Sequence, residues 1–242
     1  MIVNTMSLLE IHAELHRDIE SLESSIWHKA DLFASAVKKA NRYPLVRHYP
    51  FTSKTRKNRY HVLFIAYKRS DWKKAIFKIY CIYNRPDGLY MAILDRILHR
   101  TYIFPPHFFA RYRERVVKDA TILPEDLIHL FASRTWTMSF KLLPTELQKQ
   151  LKSLYGYPKD ELLQFQAMIP DGLILGERTG DIILGKTIIT REMLFENQIE
   201  GYEALHARYR QSLVDKLPKH EADYILSLEA SPVRNSFSLT RP

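Results

Sequence analysis

The first forty residues carry apolar side chains at the spacing of an amphipathic helix. The apolar positions, which recur at intervals of three and four, are Leu8, Ile11, Leu15, Ile19, Leu22, Ile26, Phe33 and Val37. This periodicity places them on one helix face. Ser7 and Glu10 form a capping box at the start, and Pro44 closes the segment. The pattern predicts either one long helix or two helices that meet at Ser24 and Ser25.

Residues 60–104 change to the twofold alternation of β-strands. Strands are predicted over residues 60–67, 74–83 and 89–95, and residues 96–104 either extend the last strand or form a fourth. Between Lys74 and Tyr83 one face is apolar or aromatic while the other carries lysines, which is typical of a strand exposed on one side. Asn-Arg-Pro-Asp-Gly at 84–88 combines the residues of a tight turn. We therefore predict an antiparallel meander, preceded by a basic loop over residues 45–59.

Helical patterns return after the meander. Helices are predicted over residues 106–118, 124–134, 145–156 and 190–213 and after Pro218, and a second hairpin is predicted from residues 171–176 and 182–190. The sequence thus predicts an α+β fold, in which an antiparallel sheet (the meander plus the second hairpin) accompanies a long N-terminal helix and C-terminal helices.

One domain is the expected organisation for a chain of this length. We predict a single α+β domain over residues 1–230, with residues 1–44 as its N-terminal helical segment. Residues 45–190 supply the sheet and the helical middle, residues 191–230 supply the C-terminal helices, and residues 231–242 form a flexible tail that is poor in core-forming side chains.

Composition favours a cytoplasmic protein without a membrane segment. The N-terminus lacks the basic, apolar and small-residue regions of a signal peptide. No apolar run approaches the roughly 20 residues that span a bilayer. The single cysteine, Cys81, lies in an apolar run, where it is expected to be a small buried side chain outside any internal disulfide.

Positive charge is concentrated in one third of the chain. The net charge is +9, but residues 38–118 alone hold twenty Lys and Arg against four Asp and Glu, together with sixteen of the 29 aromatic residues. Cations interleaved with aromatic side chains suit a phosphate backbone with stacked bases, and a solvated basic sheet face has the same composition. The candidate nucleic-acid-binding residues are Lys54, Arg56, Lys57, Arg59, Lys74, Lys78, Tyr80 and Lys118.

The predicted helix over residues 106–118 carries the residues best suited to chemistry. At 100° per residue, His107, Arg111 and Arg115 share one face with Lys118, opposite a face that contains Phe108 and further apolar residues. A neutral imidazole can act as a general base near pH 7. Two arginines one turn apart can hold a phosphate and stabilise negative charge that develops on it.

Such a set is suited to cleaving RNA without a metal ion, with the base activating the ribose 2′-hydroxyl. Two other interpretations stay open from the residues alone. The helix face binds an anion without catalysis, or its arginines pair with acidic neighbours and the histidine makes only local hydrogen bonds.

The spacing His-x₃-Arg-x₃-Arg, followed later by a hairpin that contains a threonine, resembles the metal-independent bacterial ribonuclease toxins of the RelE, barnase and colicin type. The resemblance covers about a quarter of residues 105–190. It implies that His107, Arg111 and Arg115 on the helix, with Thr187 on the later strand, form the catalytic set. Those domains are usually much smaller, and here about fifty residues separate the helical region from the hairpin. The chain also resembles a bacterial family of unknown activity.

Metal-ligand patterns are weaker. His12 and His16 lie one helical turn apart with Glu20 a turn further, which is a spacing that metal sites use, but isolated pairs of this kind are common on solvated helix faces. Glu203-x-x-His206 matches half of a di-iron pattern and has no second copy. We therefore predict no metal site and no cofactor.

The sequence thus predicts a protein that binds a phosphate-rich ligand such as RNA or another polyanion. Metal-independent endoribonuclease activity is a further hypothesis on top of that binding. The alternative is a non-enzymatic interaction or regulatory protein whose basic surface docks an acidic protein partner. The acidic N-terminal helix and C-terminal third are candidates for that partner within a homo-oligomer.

Overall fold

The computed structural model describes residues 1–74, 76–146, 161–231 and 233 of the 242-residue chain. Its contacts group into two compact units: unit 1 contains Met1–Pro105 with Asp181–Ile183, and unit 2 contains Pro106–Gly180 with Leu184–Pro242. Helices and antiparallel strands are both present, which confirms the predicted α+β class. The single domain predicted for residues 1–230 stays a prediction. Within the described ranges, no helix is both long and apolar enough to cross a membrane.

Unit 1 is one long helix with an antiparallel meander. The helix is α1 (Leu8–Lys39), and the strands, hydrogen-bonded in chain order, are β1 (Leu45–Thr52), β2 (Arg59–Ala66), β3 (Ile76–Arg85), β4 (Gly88–Asp95) and β5 (Arg100–Phe104). The meander over residues 60–104 is confirmed, and residues 100–104 form the separate fourth strand that the sequence left open.

α1 is a single helix that runs through Ser24 and Ser25 without a break. The capping box at its start is confirmed, because the Ser7 hydroxyl accepts from the Glu10 backbone N–H and the Glu10 carboxylate accepts from the Ser7 backbone N–H. The apolar side chains buried along it are those of the predicted apolar face from Ile11 to Val37. Burial of a continuous stripe, which adds favourable free energy at each turn, is what keeps 32 residues helical.

Buried polar contacts fix the rotation of α1 about its axis. The Asp18 carboxylate, almost fully buried, accepts hydrogen bonds from Asn58 Nδ2 at 3.0 Å and from the Tyr60 hydroxyl at 3.1 Å. Four residues earlier, Glu14 Oε2 lies 2.6 Å from Arg56 Nη1. Turning the helix would leave these charged groups buried without partners, which is costly.

Residues 45–52 were predicted to be part of a loop, and this prediction is wrong. They form β1, which pairs antiparallel with β2 from Leu45 opposite Ala66 to Thr52 opposite Arg59. Pro50 lacks a backbone N–H and is found on edge strands, and β1 lies at the end of the strand order. Because of its proline and its basic residues, the sequence pattern did not indicate that this segment is an edge strand.

Unit 2 combines helices with a second set of antiparallel strands. Its elements are α2 (Pro106–Tyr112), a π-helical turn (Arg113–Val117), α3 (Pro124–Arg134), β6 (Ser139–Leu143), β7 (Leu162–Ile169), β8 (Gly172–Thr179), β9 (Ile182–Ile189, from Leu184 onward in this unit), α4 (Glu196–Lys216) and α5 (Lys219–Ala230). The strand order is β9-β8-β7-β6.

The predictions for unit 2 hold in part. The helix over residues 124–134, the hairpin strands β8 and β9 and the helix after Pro218 are confirmed. β6 and β7 were not predicted, and the helix predicted from residue 190 begins at Glu196, after a short 3₁₀ turn. The predicted helix over residues 145–156 and the tail over residues 231–242 lie, for the most part, outside the described residues.

Aromatic packing holds α2 against α3. The ring of Phe131, which is fully buried, lies 5.2 Å from those of Phe108 and Tyr112 and 5.7 Å from that of Phe109, each in an edge-to-face arrangement. Such contacts add to the free energy of burial and are directional. They fix which face of α2 is turned away from the core.

Substituting Gly176 tests the close approach of strands in unit 2. A Cβ at this position of β8 would overlap the carbonyl oxygen of Leu184 and lie 2.6 Å from Cε1 of Phe165. We expect Gly176→Ala to lower the free energy of unfolding by ~1–3 kcal/mol, as overpacking does. The matched control is Gly201→Ala on α4, where no atom lies within 4 Å; it should stabilise by ~0.5–1 kcal/mol. Equal denaturation midpoints for the two variants would contradict this packing.

Candidate functional site

α2 separates an apolar face from a polar one, as the sequence predicted. Phe108, Phe109 and Tyr112 are buried, and their burial leaves His107 and Arg111 exposed on the other side of the helix. The helical segment predicted for residues 106–118 is present, but its second half is a π-turn. There the Lys118 backbone N–H donates to the Arg113 carbonyl oxygen at 2.7 Å.

The π-turn changes where Arg115 points. An i→i+5 turn is wider than an α-turn, so a side chain within it leaves the 100° spacing used in the sequence prediction, and such turns are frequent at functional sites. Lys118 ends the turn with a left-handed backbone, φ 55°. His107 and Arg111 therefore share an α-helical face, and the turn sets the direction of Arg115 separately.

Arg115 joins the helical segment to β9. Its Nη1 donates to the Thr187 hydroxyl at 2.9 Å and to the Ile188 carbonyl oxygen at 2.7 Å. The guanidinium is half-buried. Because a guanidinium carries five N–H donors, these two acceptors use only part of its capacity. Two of the four predicted catalytic residues, 72 positions apart in sequence, are thus in direct contact.

Arg111 has an acidic neighbour in the structure. Its Nη1 lies 2.8 Å from Glu114 Oε2, and the two side chains are 52% and 63% exposed. Exposed ion pairs of this kind stabilise by at most ~1 kcal/mol, so a phosphate can displace the carboxylate at little cost. The pair is what we expect if the arginines of this helix only pair with acidic neighbours. It is equally compatible with a site that binds an anion.

The predicted nucleic-acid-binding residues of unit 1 differ in their surroundings. The exposed ones are Lys54, Lys57, Arg59 and Lys74, and Lys118 of unit 2 is exposed as well. Arg56 is half-buried and pairs with Glu14. Burial lowers the pKa of Lys78 to about 7, so its ammonium is only partly charged at neutral pH. In unit 1, the candidates accessible to a ligand are therefore Lys54, Lys57, Arg59 and Lys74.

Tyr80 does not fit its predicted role of stacking on bases. Its side chain is fully buried, and its ring lies 5.1 Å from that of His61 at an interplanar angle of 12°. Its hydroxyl lies 3.0 Å from His48 Nδ1. The twofold alternation of β3 correctly placed Tyr80 on the same strand face as Lys78. That face is buried at Tyr80, so the ring is not accessible to a base.

A histidine cluster forms in unit 1 where the sequence predicted only a solvated pair. The rings of His12 and His16 on α1 are half-buried, and their centroids lie 4.5 Å apart. His99, from the turn between β4 and β5, stacks on His16 at 4.3 Å and 20° and lies 6.4 Å from His12. One ligand nitrogen from each ring can be chosen so that all three lie within 4.8 Å of one another. The side chain of Glu20 lies outside the described part of the chain.

The Thr101 hydroxyl lies between two of these rings. Its oxygen is 2.8 Å from His12 Nδ1 and 3.1 Å from His16 Nε2. A hydroxyl has one hydrogen to donate, so one of these nitrogens accepts it while the other donates its own. Burial, with the neighbouring His12 and His99, lowers the pKa of His16 to about 4. Burial also lowers the pKa of His12, against the opposing effect of Asp181.

No sequence pattern pointed to His99 or Thr101 as members of this cluster. His99 and Thr101 are more than eighty residues from His16, and no spacing rule connects them. They lie beside His16 because β4 pairs with β5 and the turn between these strands lies against α1. The other sequence candidate, Glu203-x-x-His206, is divided between two partners: Glu203 pairs with Arg191 at 2.7 Å and His206 with Glu229 at 3.1 Å.

A groove of about 510 Å³ is also present in unit 2, between the strands and α4. Its described lining is mainly apolar, with Lys141 and Arg208 as its cations. His107, Arg111, Arg115 and Thr187 are not among these lining residues, so the groove is separate from the predicted catalytic set.

Comparisons with known proteins give no indication of the function of this chain. Searches against models of protein families, curated protein sequences and solved structures found no match for this chain. Two clusters therefore carry the functional question: the helix-and-strand set around Arg115 in unit 2 and the histidine cluster in unit 1.

Proposed function

We propose that unit 2 binds a phosphodiester of single-stranded RNA at His107, Arg111, Arg115 and Thr187, and cleaves it without a metal ion. The observation that carries the proposal is the contact between Arg115 and Thr187 at 2.9 Å. The resemblance to the ribonuclease toxins implied both residues, as members of a set of four, from short sequence matches. A match by chance between residues 72 positions apart would not require them to touch.

The exposed polar face of α2 supports the same function. His107 and Arg111 point away from the aromatic core and are accessible to a ligand. Arg111 exchanges its Glu114 partner for two oxygens of the phosphate, which a guanidinium binds in a bidentate geometry. Arg115, held by Thr187 and by the Ile188 carbonyl oxygen, is already oriented before the ligand binds. Orientation of this kind lowers the reorganisation needed in the transition state.

The reaction uses the ribose itself as the nucleophile. His107 accepts the proton of the 2′-hydroxyl, and the 2′-oxygen forms a bond to the neighbouring phosphorus. The bond from phosphorus to the 5′-oxygen breaks, and that oxygen leaves with a proton taken from the imidazolium or from water. Arg111 and Arg115 stabilise the negative charge of the pentacovalent intermediate. The products are a 2′,3′-cyclic phosphate and a 5′-hydroxyl.

The exposed cations of unit 1 add attraction for a polyanion that does not depend on base sequence. Lys54, Lys57, Arg59 and Lys74 are the residues that we propose for this role. We propose a cytoplasmic location for the activity, because the one cysteine, Cys81, is fully buried and free.

The cleavage test depends on the 2′-hydroxyl. The full chain, in excess chelator, is incubated with a single-stranded RNA and with the same strand carrying 2′-deoxyribose throughout. We expect cleavage of the RNA only, with cyclic-phosphate ends detected by mass spectrometry. Intact RNA, or equal cleavage of both strands, would overturn the proposed chemistry.

Binding is tested by its dependence on salt. The affinity for a single strand should fall with salt, at a logarithmic slope of roughly 0.7 for each phosphate contacted. Arg111→Gln should weaken binding and reduce the slope by the amount expected for about one phosphate contact. Arg17→Gln, at an exposed position of α1, should change neither the affinity nor the slope. A flat salt dependence would contradict RNA binding and favour the acidic protein partner instead.

A further inference from the structure

The histidine cluster of unit 1 has the composition of a transition-metal site. Three imidazoles, and no carboxylate, meet within 4.8 Å among the described residues of this cluster. Imidazole suits zinc and its neighbours in the periodic table, whereas magnesium and calcium prefer oxygen ligands.

Two of the three residues are held on a rigid element. His12 and His16 are one turn apart on α1, a spacing that puts both rings on one side of the helix. The rotation of α1 is fixed by the contacts of Asp18 with Asn58 and Tyr60. Ligands on a helix that cannot turn are positioned before the ion arrives, which favours binding.

The third residue is held by the geometry of its turn. His99 has a left-handed backbone, φ 56°. The Asp95 carboxylate accepts hydrogen bonds from the backbone N–H groups of Ile97 and Leu98 at 3.0 and 2.9 Å, which shapes the turn before it reaches His99. The ring is thereby directed toward α1, where it stacks on His16.

The surroundings complete the requirements of such a site. The buried Thr101 hydroxyl contacts both His12 and His16, as the outer hydrogen bonds of metal-binding histidines do. The Asp181 carboxylate adds negative charge nearby. His99 is exposed, so a fourth position is open to water on its side.

We propose that His12, His16 and His99 bind one Zn²⁺ ion, with water as a fourth, exchangeable ligand. In a tetrahedral site with Zn–N bonds of about 2.0–2.1 Å, the ligand nitrogens lie roughly 3.4 Å apart. Without the ion the three nitrogens lie within 4.8 Å of one another, so no pair has to close by more than about 1.4 Å to reach this geometry. Three protein ligands with one open position is the arrangement of catalytic rather than structural zinc sites.

The test uses the full chain without an affinity tag, stripped with chelator and dialysed. Titration with Zn²⁺ against a chromophoric chelator should show one site per chain, and Co²⁺ should give the visible absorption of a tetrahedral complex. His99→Gly removes one ligand and keeps the backbone conformation, because glycine adopts positive φ without strain. We expect it to weaken Zn²⁺ binding by more than about 100-fold, since loss of second-shell groups alone costs roughly 10–100-fold.

The control is His28→Ala, which removes an exposed histidine from the same helix and should leave the affinity unchanged. His16→Gln, measured in parallel, should match the loss seen in His99→Gly. No saturable binding by the stripped chain, or unchanged affinity in His99→Gly, would overturn the proposal. RNA cleavage in chelator does not require this ion, so the two proposals succeed or fail independently.

Discussion

Replacing Asp171 by alanine is expected to lower the free energy of unfolding of unit 2 by about 3–5 kcal/mol. The Asp171 carboxylate is 1% exposed and accepts from Arg134 Nε at 2.8 Å and from Arg134 Nη2 at 2.5 Å. The Tyr112 hydroxyl donates to it at 2.6 Å. Without the carboxylate, a buried guanidinium and a buried hydroxyl lose their acceptor together, and the isolated charge dominates the cost.

Fluorescence can follow unit 2 alone. Trp136 lies in unit 2, whereas Trp27 and Trp72 lie in unit 1 and can be changed to phenylalanine. Denaturation followed at Trp136 then reports the loss. Asp171→Asn, which keeps the shape but not the charge, should fall between the wild type and the alanine variant. Arg134→Met combined with Asp171→Leu should recover the part of the loss that comes from the isolated charge, since it removes both charges. A loss below about 1 kcal/mol in Asp171→Ala would contradict the assigned role of the pair.

Replacing His107 by alanine is expected to reduce the rate of RNA cleavage by about 10²–10⁴-fold, the usual contribution of a general base. His107 is exposed, and alanine is a good helix former, so α2 and its aromatic contacts should persist. An unchanged denaturation curve would show that the loss is chemical. His28→Ala provides a matched exposed histidine on α1. Equal cleavage by the His107 variant and the wild type would place the activity at another site or in a contaminant.

The elements that the sequence predicted correctly are those whose signal lies in neighbouring residues. The buried face of α1 follows from its three- and four-residue spacing, and the turn at 84–88 follows from its proline and glycine. β1 was missed because its strand character depends on β2, which supplies the hydrogen-bonding partner. The π-turn after Tyr112 was missed because nothing in the residues distinguishes one widened turn from an α-helix.

The charge count overestimated the free charge of the basic segment. Arg56 and Arg96 both pair with carboxylates of α1, those of Glu14 and Glu23. These acidic residues lie outside residues 38–118, so the charge count for that segment did not include them. Arg115 and Thr187 are a different case: the resemblance placed both in one catalytic set, and no periodicity indicates that the two side chains touch.

The buried Arg134 guanidinium connects the Asp171 carboxylate to a residue near the C-terminal end of unit 2. Arg134 also donates from Nη2 to the Leu228 carbonyl oxygen of α5 at 2.6 Å, and Tyr112 at the end of α2 donates to the same carboxylate. The candidate catalytic residues end at Thr187, yet a chain truncated there loses an acceptor of the buried guanidinium. A fragment that keeps every acceptor of this guanidinium therefore extends about forty residues beyond Thr187.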